Sequence, residues 1–512
     1  MKSKTIISAF TLLATAGVAQ AANNRPNIIL FLVDDMGWQD TSLPFWTEKT
    51  PFNKLYETPN MERLASQGMM FTQAYANSIS SPTRCSLMTG SNLARHRVTN
   101  YTVFKDQPTD FKRPDIILPS WNYNGISPVQ GVNNTYYAKT FVQILHDSGY
   151  YTIHCGKAHF AAKDTPAAEP LNCGFDVNIA GHAMGSPATY YAERNYGHDA
   201  EGVPLAANAI PGLEKYWGTH TFATEALTLE AISALNKAKT LDKPFYLYMS
   251  HYAVHAPIDK DMRFYPKYIA KGMTEHEAAY ASLIEGMDKS LGDLMNWLVT
   301  NHLDKNTIVL FMSDNGGLAT EPGARDGAPF TQNAPLNCGK GSLCEGGIRE
   351  PMIVKWPGVV RPQTKCNDYL IIDDFFPTIL EMAQVKHYKT PQKIDGISFI
   401  PMLRGTGSTA KGRSLVWNCP NLWLTTRHDG PGIGMACSIR KGEWKLIYYY
   451  DTGKKLLYNI ENDISEQNDL SAQNPKIVKQ LSKELGTRLR SMDAQRPKFS
   501  ATGKFCPFPD EL

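Results

Sequence analysis

Apolar and polar residues along this chain follow two periods. Short runs rich in β-branched and aromatic residues stand at positions 27–33, 151–153, 245–249 and 307–312, with the length and composition of buried strands. Between the last two, Tyr280, Leu283, Ile284, Met287, Leu291, Leu294, Met295 and Leu298 recur at three- and four-residue spacing, the stripe of an amphipathic crossover helix. Apolar strands alternating with helices predict an α/β domain built on a large, mostly parallel sheet sandwiched by helices. Beyond Asp395-Gly396 the pattern changes. A Gly/Ser/Thr-rich link at 405–412 leads into strand-like runs at 414–417, 437–440 and 443–450. A helix follows, capped by Asn474, with Pro475 at its first position, and runs to about Leu489. These features predict a smaller C-terminal α+β domain carrying an antiparallel sheet. The expected organisation is a leader at 1–21, a large domain at 22–410 and a C-terminal subdomain at 411–512.

A polar cluster follows each of the four strand-like runs: Asp34-Asp35, residues 154–159, residues 251–255, and Ser313-Asp314-Asn315-Gly316. Ligands of open parallel sheets bind beyond the carboxyl ends of the strands, so clusters distant in sequence are expected to meet at one site. Asp34, Asp35, Asp314 and Asn315 offer only hard oxygen ligands. They suit calcium, with magnesium as the second choice, and argue against zinc. The plainer alternative is that Asp34-Asp35 caps a helix after the first strand. His159 and His255 are the candidates for proton transfer near neutral pH, whereas His154 and His251 read as structural.

Composition and address narrow the function classes. Hydrophobic residues make up 42% and charged residues 20%, as in soluble globular proteins rather than disordered or fibrous ones. The first residues combine Lys2 and Lys4, an apolar run from Ile6 to Val18 and an Ala19-Gln20-Ala21 site, the plan of a cleavable secretory signal. No cysteine near the cleavage site offers a lipid anchor, so the mature chain is expected to be periplasmic or secreted, with no membrane attachment. Without the leader the formal charge falls from +3 to +1, which gives no global basic field for nucleic acid. The nine cysteines are an odd number; export permits disulfides but leaves their connectivity open. Cys338 and Cys344 lack the second Cys or His pair that a zinc site requires.

The most informative segment is Ser80-Ser81-Pro82-Thr83-Arg84-Cys85-Ser86-Leu87-Met88-Thr89-Gly90. With Ser81 as cap and Pro82 in the first turn, Ser80 is expected beside a positive helix end that favours an anion. Alone, this reads more simply as a capped helix with an unreactive serine, since helix caps outnumber nucleophiles. The segment resembles the signature of the formylglycine sulfatases of the alkaline phosphatase superfamily. That signature runs Ser or Cys, any residue, Pro, a small residue, Arg, then Leu and Gly at fixed offsets. The resemblance extends over nearly the whole mature chain. It takes in Arg25-Pro26-Asn27, Thr58-Pro59-Asn60 with Arg63-Leu64-Ala65, Gly156-Lys157 with His159, and His255-Ala256-Pro257. It continues through Asp314-Asn315-Gly316, Gly339-Lys340-Gly341, Glu345-Gly346-Gly347-Ile348-Arg349, Trp444-Lys445-Leu446 and Leu457-Tyr458.

The resemblance implies an alkaline-phosphatase-like fold and a sulfuric ester hydrolase of the bacterial, glycan-degrading, exo-acting kind. It implies that Ser80 is oxidised to formylglycine (3-oxoalanine), whose hydrate attacks sulfur, and that the metal is held by Asp34, Asp35, Ser80, Asp314 and Asn315. A serine rather than a cysteine at position 80 implies an anaerobic radical sulfatase-maturating enzyme as partner during biogenesis. Arg84, Lys157 and Lys340 add positive charge around nucleophile and ester, giving with calcium and three aspartates a net charge of about +2. By the same resemblance His159 serves the nucleophile and His255 protonates the leaving alcohol. One departure is Ala158, where the family often has Trp.

Other readings stay open on sequence alone: a phosphate or phosphonate monoester hydrolase of the same superfamily, or a non-catalytic binder of sulfated glycan with Ser80 unmodified. The expected substrate is a sulfated carbohydrate, with galactose or N-acetylgalactosamine sulfate preferred. Loops at 101–134, 161–217 and 417–429 are expected to line its pocket, with Trp121, His182, Arg194, Trp423, Arg427 and His428 as candidates.

Overall fold

The computed structural model describes residues 25–318, 333–423 and 433–512. The leader, Arg427 and His428 lie outside these residues. The main sheet contains β1 (Asn27–Val33), β2 (Met69–Tyr75), β3 (Tyr151–Gly156), β4 (Val177–Ile179), β5 (Phe245–Ser250), β6 (Thr307–Ser313), β7 (Arg349–Lys355), β8 (Thr364–Cys366) and β9 (Leu370–Ile371). Their order is β8-β2-β7-β6-β1-β5-β3-β4, with β9 also paired to β2. Only β7 runs against its neighbours; all other pairings in this sheet are parallel.

The apolar run of β1 is what a central strand needs, since both faces are covered. Ile28, Leu30 and Leu32 enter one core layer and Ile29, Phe31 and Val33 the other, the period-two alternation of a pleated strand. Helices α1 (Ser80–Thr89), α2 (Phe141–Asp147) and α3 (Phe375–Met382) contribute to the first layer; α4 (Ala223–Lys239) and α5 (Glu275–Thr300) contribute to the second. All eight apolar positions that predict α5 are buried, and Thr274 with Glu277 forms a capping box at its start. The fold is the sandwiched, mostly parallel α/β sheet expected.

Beyond it, β10 (Ser414–Cys419), β11 (Ala436–Lys441), β12 (Trp444–Tyr449) and β13 (Lys455–Asn459) form an antiparallel sheet in chain order. Helix α6 (Pro475–Ser491) packs on it through Leu481, Leu485 and Leu489. Pro475 opens this helix as expected, but the Asn474 side chain makes no capping bond; its amide donates instead to Leu470 O at 3.1 Å.

Strand β3 runs three residues past the apolar stretch at 151–153, so His154 lies within the sheet. Its ring packs edge-on against Phe175 and Tyr248, at 5.1 and 5.5 Å between centroids. His251 is equally buried, bonded to Ser290 Oγ at 2.9 Å and packed on Phe31. Both are structural. Among the described residues, which include all nine cysteines, none is in a disulfide, and no helix is long and apolar enough to cross a membrane.

Replacing Leu30, wholly buried at the sheet centre, by Ala is expected to cost about 2–5 kcal/mol through lost burial and the cavity left behind. Denaturant unfolding checks this; a loss under about 1 kcal/mol would contradict so dense a packing at β1.

Candidate active site

Strand order brings the polar clusters together. β6, β1, β5 and β3 lie side by side and in parallel, so Asp314-Asn315, Asp34-Asp35, the segment after Ser250 and Lys157 all emerge at one edge. Lys340 precedes its strand instead of following it, and reaches the same edge because β7 is reversed. Two backbone features aim the side chains. Asp35 adopts a left-handed φ of 60°, which ends the alternation of β1 and lets consecutive aspartates serve one site. Gly156, at φ 101°, brings its backbone so close to β5 that a Cβ would lie 1.9 Å from Ser250 O; the next N–H, of Lys157, donates to that oxygen at 2.7 Å.

Helix α1 starts two residues earlier than the sequence suggests. Ile79, not Ser81, is its N-cap, and Ser80 occupies the first turn, a shift within the usual uncertainty of helix ends. Ser81 instead accepts from Thr102 N at 3.1 Å and lies 3.2 Å from His159 Nε2. Arg84 follows Ser80 by one turn and so shares its face of the helix.

Asp34, Asp35 and Asp314 are fully buried, and their ligand oxygens lie within 4.8 Å of one another. Each has its own cation: Lys157 Nζ is 2.7 Å from Asp34, Lys340 Nζ 2.6 Å from Asp35, and Arg84 Nη2 2.8 Å from Asp314. Ser80 Oγ stands among them, 3.2 Å from Asp34 Oδ1, 3.1 Å from Asn315 Oδ1 and 3.0 Å from Lys157 Nζ. Asn315 Nδ2 donates to Asp35 Oδ1 at 2.8 Å. Arg84 spends its remaining donors on Tyr248, Ser250 and the Lys157 carbonyl. It therefore orients Asp314 from behind and does not line the cavity.

Burial and then the Asp314 carboxylate push Asp34 up to about 8, against the pull of Lys157. Burial also draws Lys157 down to about 8, against the pull of Asp34. For Asp35 burial is outweighed by Lys340, His255 and Lys157, which hold it below the usual carboxylate range. Asp35 Oδ2 is nevertheless buried without a hydrogen-bond partner, and His255 Nε2 lies 3.6 Å away. Repelling carboxylates, an orphaned oxygen and only oxygen donors suit a hard divalent cation. The expected ligands Asp34, Asp35, Asp314, Asn315 and Ser80 are thus brought together.

The two histidines expected to titrate near neutrality are depressed, His255 to about 3 and His159 well below the usual imidazole range, with burial the first cause in both. The reason is enclosure beside Lys340 and Lys157, which disfavours a further positive charge. His255 Nδ1 contacts the Ala256 carbonyl at 2.7 Å and His159 Nε2 that of Thr102 at 2.9 Å. A carbonyl only accepts, so these nitrogens carry the protons and leave His255 Nε2 and His159 Nδ1 as the basic atoms.

Ser80, His159, His255 and Lys340 form the polar floor of a cavity of about 410 Å³. Its walls come from Tyr101, Phe104, Met184, Ser186, Asn208 and Trp423. The loops are those expected, but the nominated residues mostly lie elsewhere. Trp423 lines the cavity, with Lys340 Nζ 5.6 Å from its ring centre. Trp121 is buried and donates to Asp110, His182 packs on Tyr252, and Arg194 covers Tyr191. Ala158 is buried in the core, so the missing Trp alters packing and not the cavity wall.

The sulfatase family profile matches residues 26–385, and one described as N-sulphoglucosamine sulphohydrolase, C-terminal, matches 339–495. The chain is 29% identical to a protein named sulfatase from Formosa agariphila, over 91% of this chain and 88% of that one. It is 30% identical to N-acetylgalactosamine-6-sulfatase of Mus musculus, over 94% and 89%. The crystal structure of Ps i-CgsB superposes with a TM-score of 0.72 at 27% identity, covering 92% of this chain and 94% of that one. A second structure of that protein, in complex with k-i-k-neocarrahexaose, gives 0.71 at 26% identity over the same shares.

A divalent ion must displace the proton that Asp34 holds below about 8, so calcium uptake is expected to release protons at about pH 6.5 and to release fewer at about pH 9. Calorimetry in buffers of differing ionisation enthalpy measures this. Equal release at both pH values would remove Asp34 as the coupled group, and uptake that survives Asp35→Ala and Asp314→Ala together would place the ion elsewhere.

Proposed function

This chain belongs to the sulfatase family and hydrolyses sulfuric esters of carbohydrates; from that premise we propose that formylglycine made from Ser80 is its nucleophile, calcium its metal, and a sulfated galactose or N-acetylgalactosamine its substrate. The observation that carries the proposal is the setting of Ser80 Oγ at 3.0–3.2 Å from Asp34, Asn315 and Lys157. When present, the two groups supply a hydroxyl nucleophile at position 80 and a divalent charge that draws electrons from the sulfate oxygens.

The chain's own residues do the rest. Asp34, Asp35, Asp314 and Asn315 hold the ion, and Arg84 fixes Asp314. Lys157 spans Asp34 and Ser80 and favours the anionic form of the nucleophile. Lys340, at the cavity floor, faces the ester and balances the charge of the bound sulfate. His159 Nδ1 takes the proton released at position 80. His255 Nε2, unprotonated in the resting site, gains basicity once an anionic sulfate lies beside it, takes up a proton from solvent and passes it to the leaving alcohol. A sugar hydroxyl leaves poorly without that proton.

The cavity volume suits a small ligand, and the aromatic rings of Tyr101, Phe104 and Trp423 offer apolar faces to the C–H faces of a sugar. The preference for galactose or N-acetylgalactosamine draws on the relatives named N-acetylgalactosamine-6-sulfatase. Export through the leader at 1–21, and maturation of Ser80 by an anaerobic radical enzyme, complete the proposal.

The test is sulfate release from a panel of sulfated mono- and disaccharides by enzyme co-expressed with such a maturase. The Ser80 peptide is expected to be lighter by the hydrogen pair that oxidation removes, and Ser80→Ala to leave less than about a hundredth of the rate. More than a tenth of the wild-type rate in Ser80→Ala would remove Ser80 as nucleophile. Turnover of phosphate esters alone by fully modified enzyme would overturn the sulfated substrate.

His255→Ala is expected to slow sugar sulfates by about 10²–10⁴-fold and activated aryl sulfates far less. Equal losses on both substrate types would assign the leaving-group proton to another residue.

A further inference from the structure

Lys340, Asn315 and Ser80 come from three separate parts of the chain, and the segment 339–347, which carries Lys340, is bonded to the backbone beside each of the other two. The N–H of Lys340 donates to Gly317 O at 3.1 Å, that of Gly316 to Gly347 O at 3.3 Å, and that of Gly341 to Ser78 O at 2.7 Å. The packing has no slack: a Cβ on Gly316 would lie 1.8 Å from Gly346 O, and one on Gly347 2.3 Å from Ser342 O. A shift of this segment therefore displaces the metal-site asparagine, the lysine at the cavity floor and the backbone leading to Ser80 together.

The segment is held from outside the main sheet's layers. Glu345, in the short helix Glu345–Ile348, is fully buried, and its carboxylate meets Lys445 Nζ of β12 at 2.9 Å. Lys445 is also 3.0 Å from Glu466, whose other oxygen accepts the Glu345 N–H at 2.7 Å. From the main sheet, Tyr75 OH donates to Glu345 at 2.5 Å, as does Arg349 at 3.3 Å. Arg440 of β11 donates to the same phenol oxygen. Burial pushes Glu466 up to about 7 against the pull of Lys445, so Lys445 is the charge that keeps two buried carboxylates together.

We propose that Lys445 and Tyr75 are positioning residues that act through Glu345 to set the segment 339–347, and with it Lys340, Asn315 and residues 78–80. The second sheet is on this account part of the framework of the active site and not only an appended domain. The proposal rests on the reading of Lys340 and Asn315 as site residues.

The test uses the full chain with mature Ser80. Tyr75→Phe is expected to keep the thermal midpoint near wild type while kcat falls about three- to tenfold and KM changes less than about twofold. Lys445→Met alone is expected to lose both stability and rate. Pairing it with Glu466→Gln removes one charge of each sign; this double variant is expected to regain the midpoint while kcat stays at least about tenfold down. Recovery of kcat together with the midpoint would make the network purely structural and overturn the proposal. If the double variant does not fold, Tyr75→Phe decides, and an unchanged kcat overturns it. Lys340→Ala is measured alongside. An unchanged kcat there removes the reading on which the proposal stands, whereas an inactive Lys340→Ala beside a fully active double variant overturns the positioning role alone.

Discussion

Three carboxylates share a space closed to water, and the architecture around Asp34, Asp35 and Asp314 is organised to make that tolerable. Like charges buried together are stable only when countercharge is delivered to them in fixed geometry. The strand order is the means of delivery. Neighbouring β6, β1, β5 and β3 end at one edge, where Lys157 meets Asp34, Lys340 meets Asp35 and Arg84 meets Asp314. One cation stands beside each aspartate, yet Asp34 is still pushed towards its protonated form and Asp35 Oδ2 is left unsatisfied. The site is supplied with countercharge without being complete, the condition under which an ion can enter and still leave room for an anionic substrate.

Reversal of a single strand matters to this supply of countercharge. Each of the parallel strands carries the residues after it to the edge where the site lies, so a group that precedes such a strand would be left at the opposite edge of the sheet. Because β7 is antiparallel to β6, the segment before it arrives at the site and Lys340 with it. The same reversal places Glu345 where β12 can reach it. The cation on Asp35 and the anchor to the second sheet thus derive from one topological choice.

Much of this was legible in the chain. The strands β1, β5 and β6 announce themselves because burial on both faces demands uninterrupted apolar residues, and Asp34-Asp35 and Asp314-Asn315 stand directly after two of them. The strands β2 and β7 do not, since Thr72, Gln73, Arg349 and Glu350 interrupt their apolar pattern. Arg349 and Glu350 are buried all the same. The cavity walls were missed for a different reason. Tyr101, Met184 and Asn208 lie in long segments with few regular elements, where no period marks which side chain faces inward. Size and charge point instead to Trp121 and Arg194, which are a buried packing residue and a surface one.

That division between legible and illegible parts matches the division of labour in the molecule. Charges at strand ends decide the reaction, and they are fixed by a sheet whose packing tolerates little movement. The cavity proposed for the sugar is walled by loops, which can change shape without disturbing the strands beneath. Ala158 illustrates the boundary: although it departs from the common family residue and stands between Lys157 and His159, it is sealed in the core and touches neither cavity nor metal site. A change there is a packing event, while a change at Phe104, Met184 or Trp423 alters what the cavity can hold. On the proposed reading, substrate choice in this chain therefore resides in side chains that the ester-cleaving machinery does not constrain, and so the chemistry is readable from the sequence while the sugar is not.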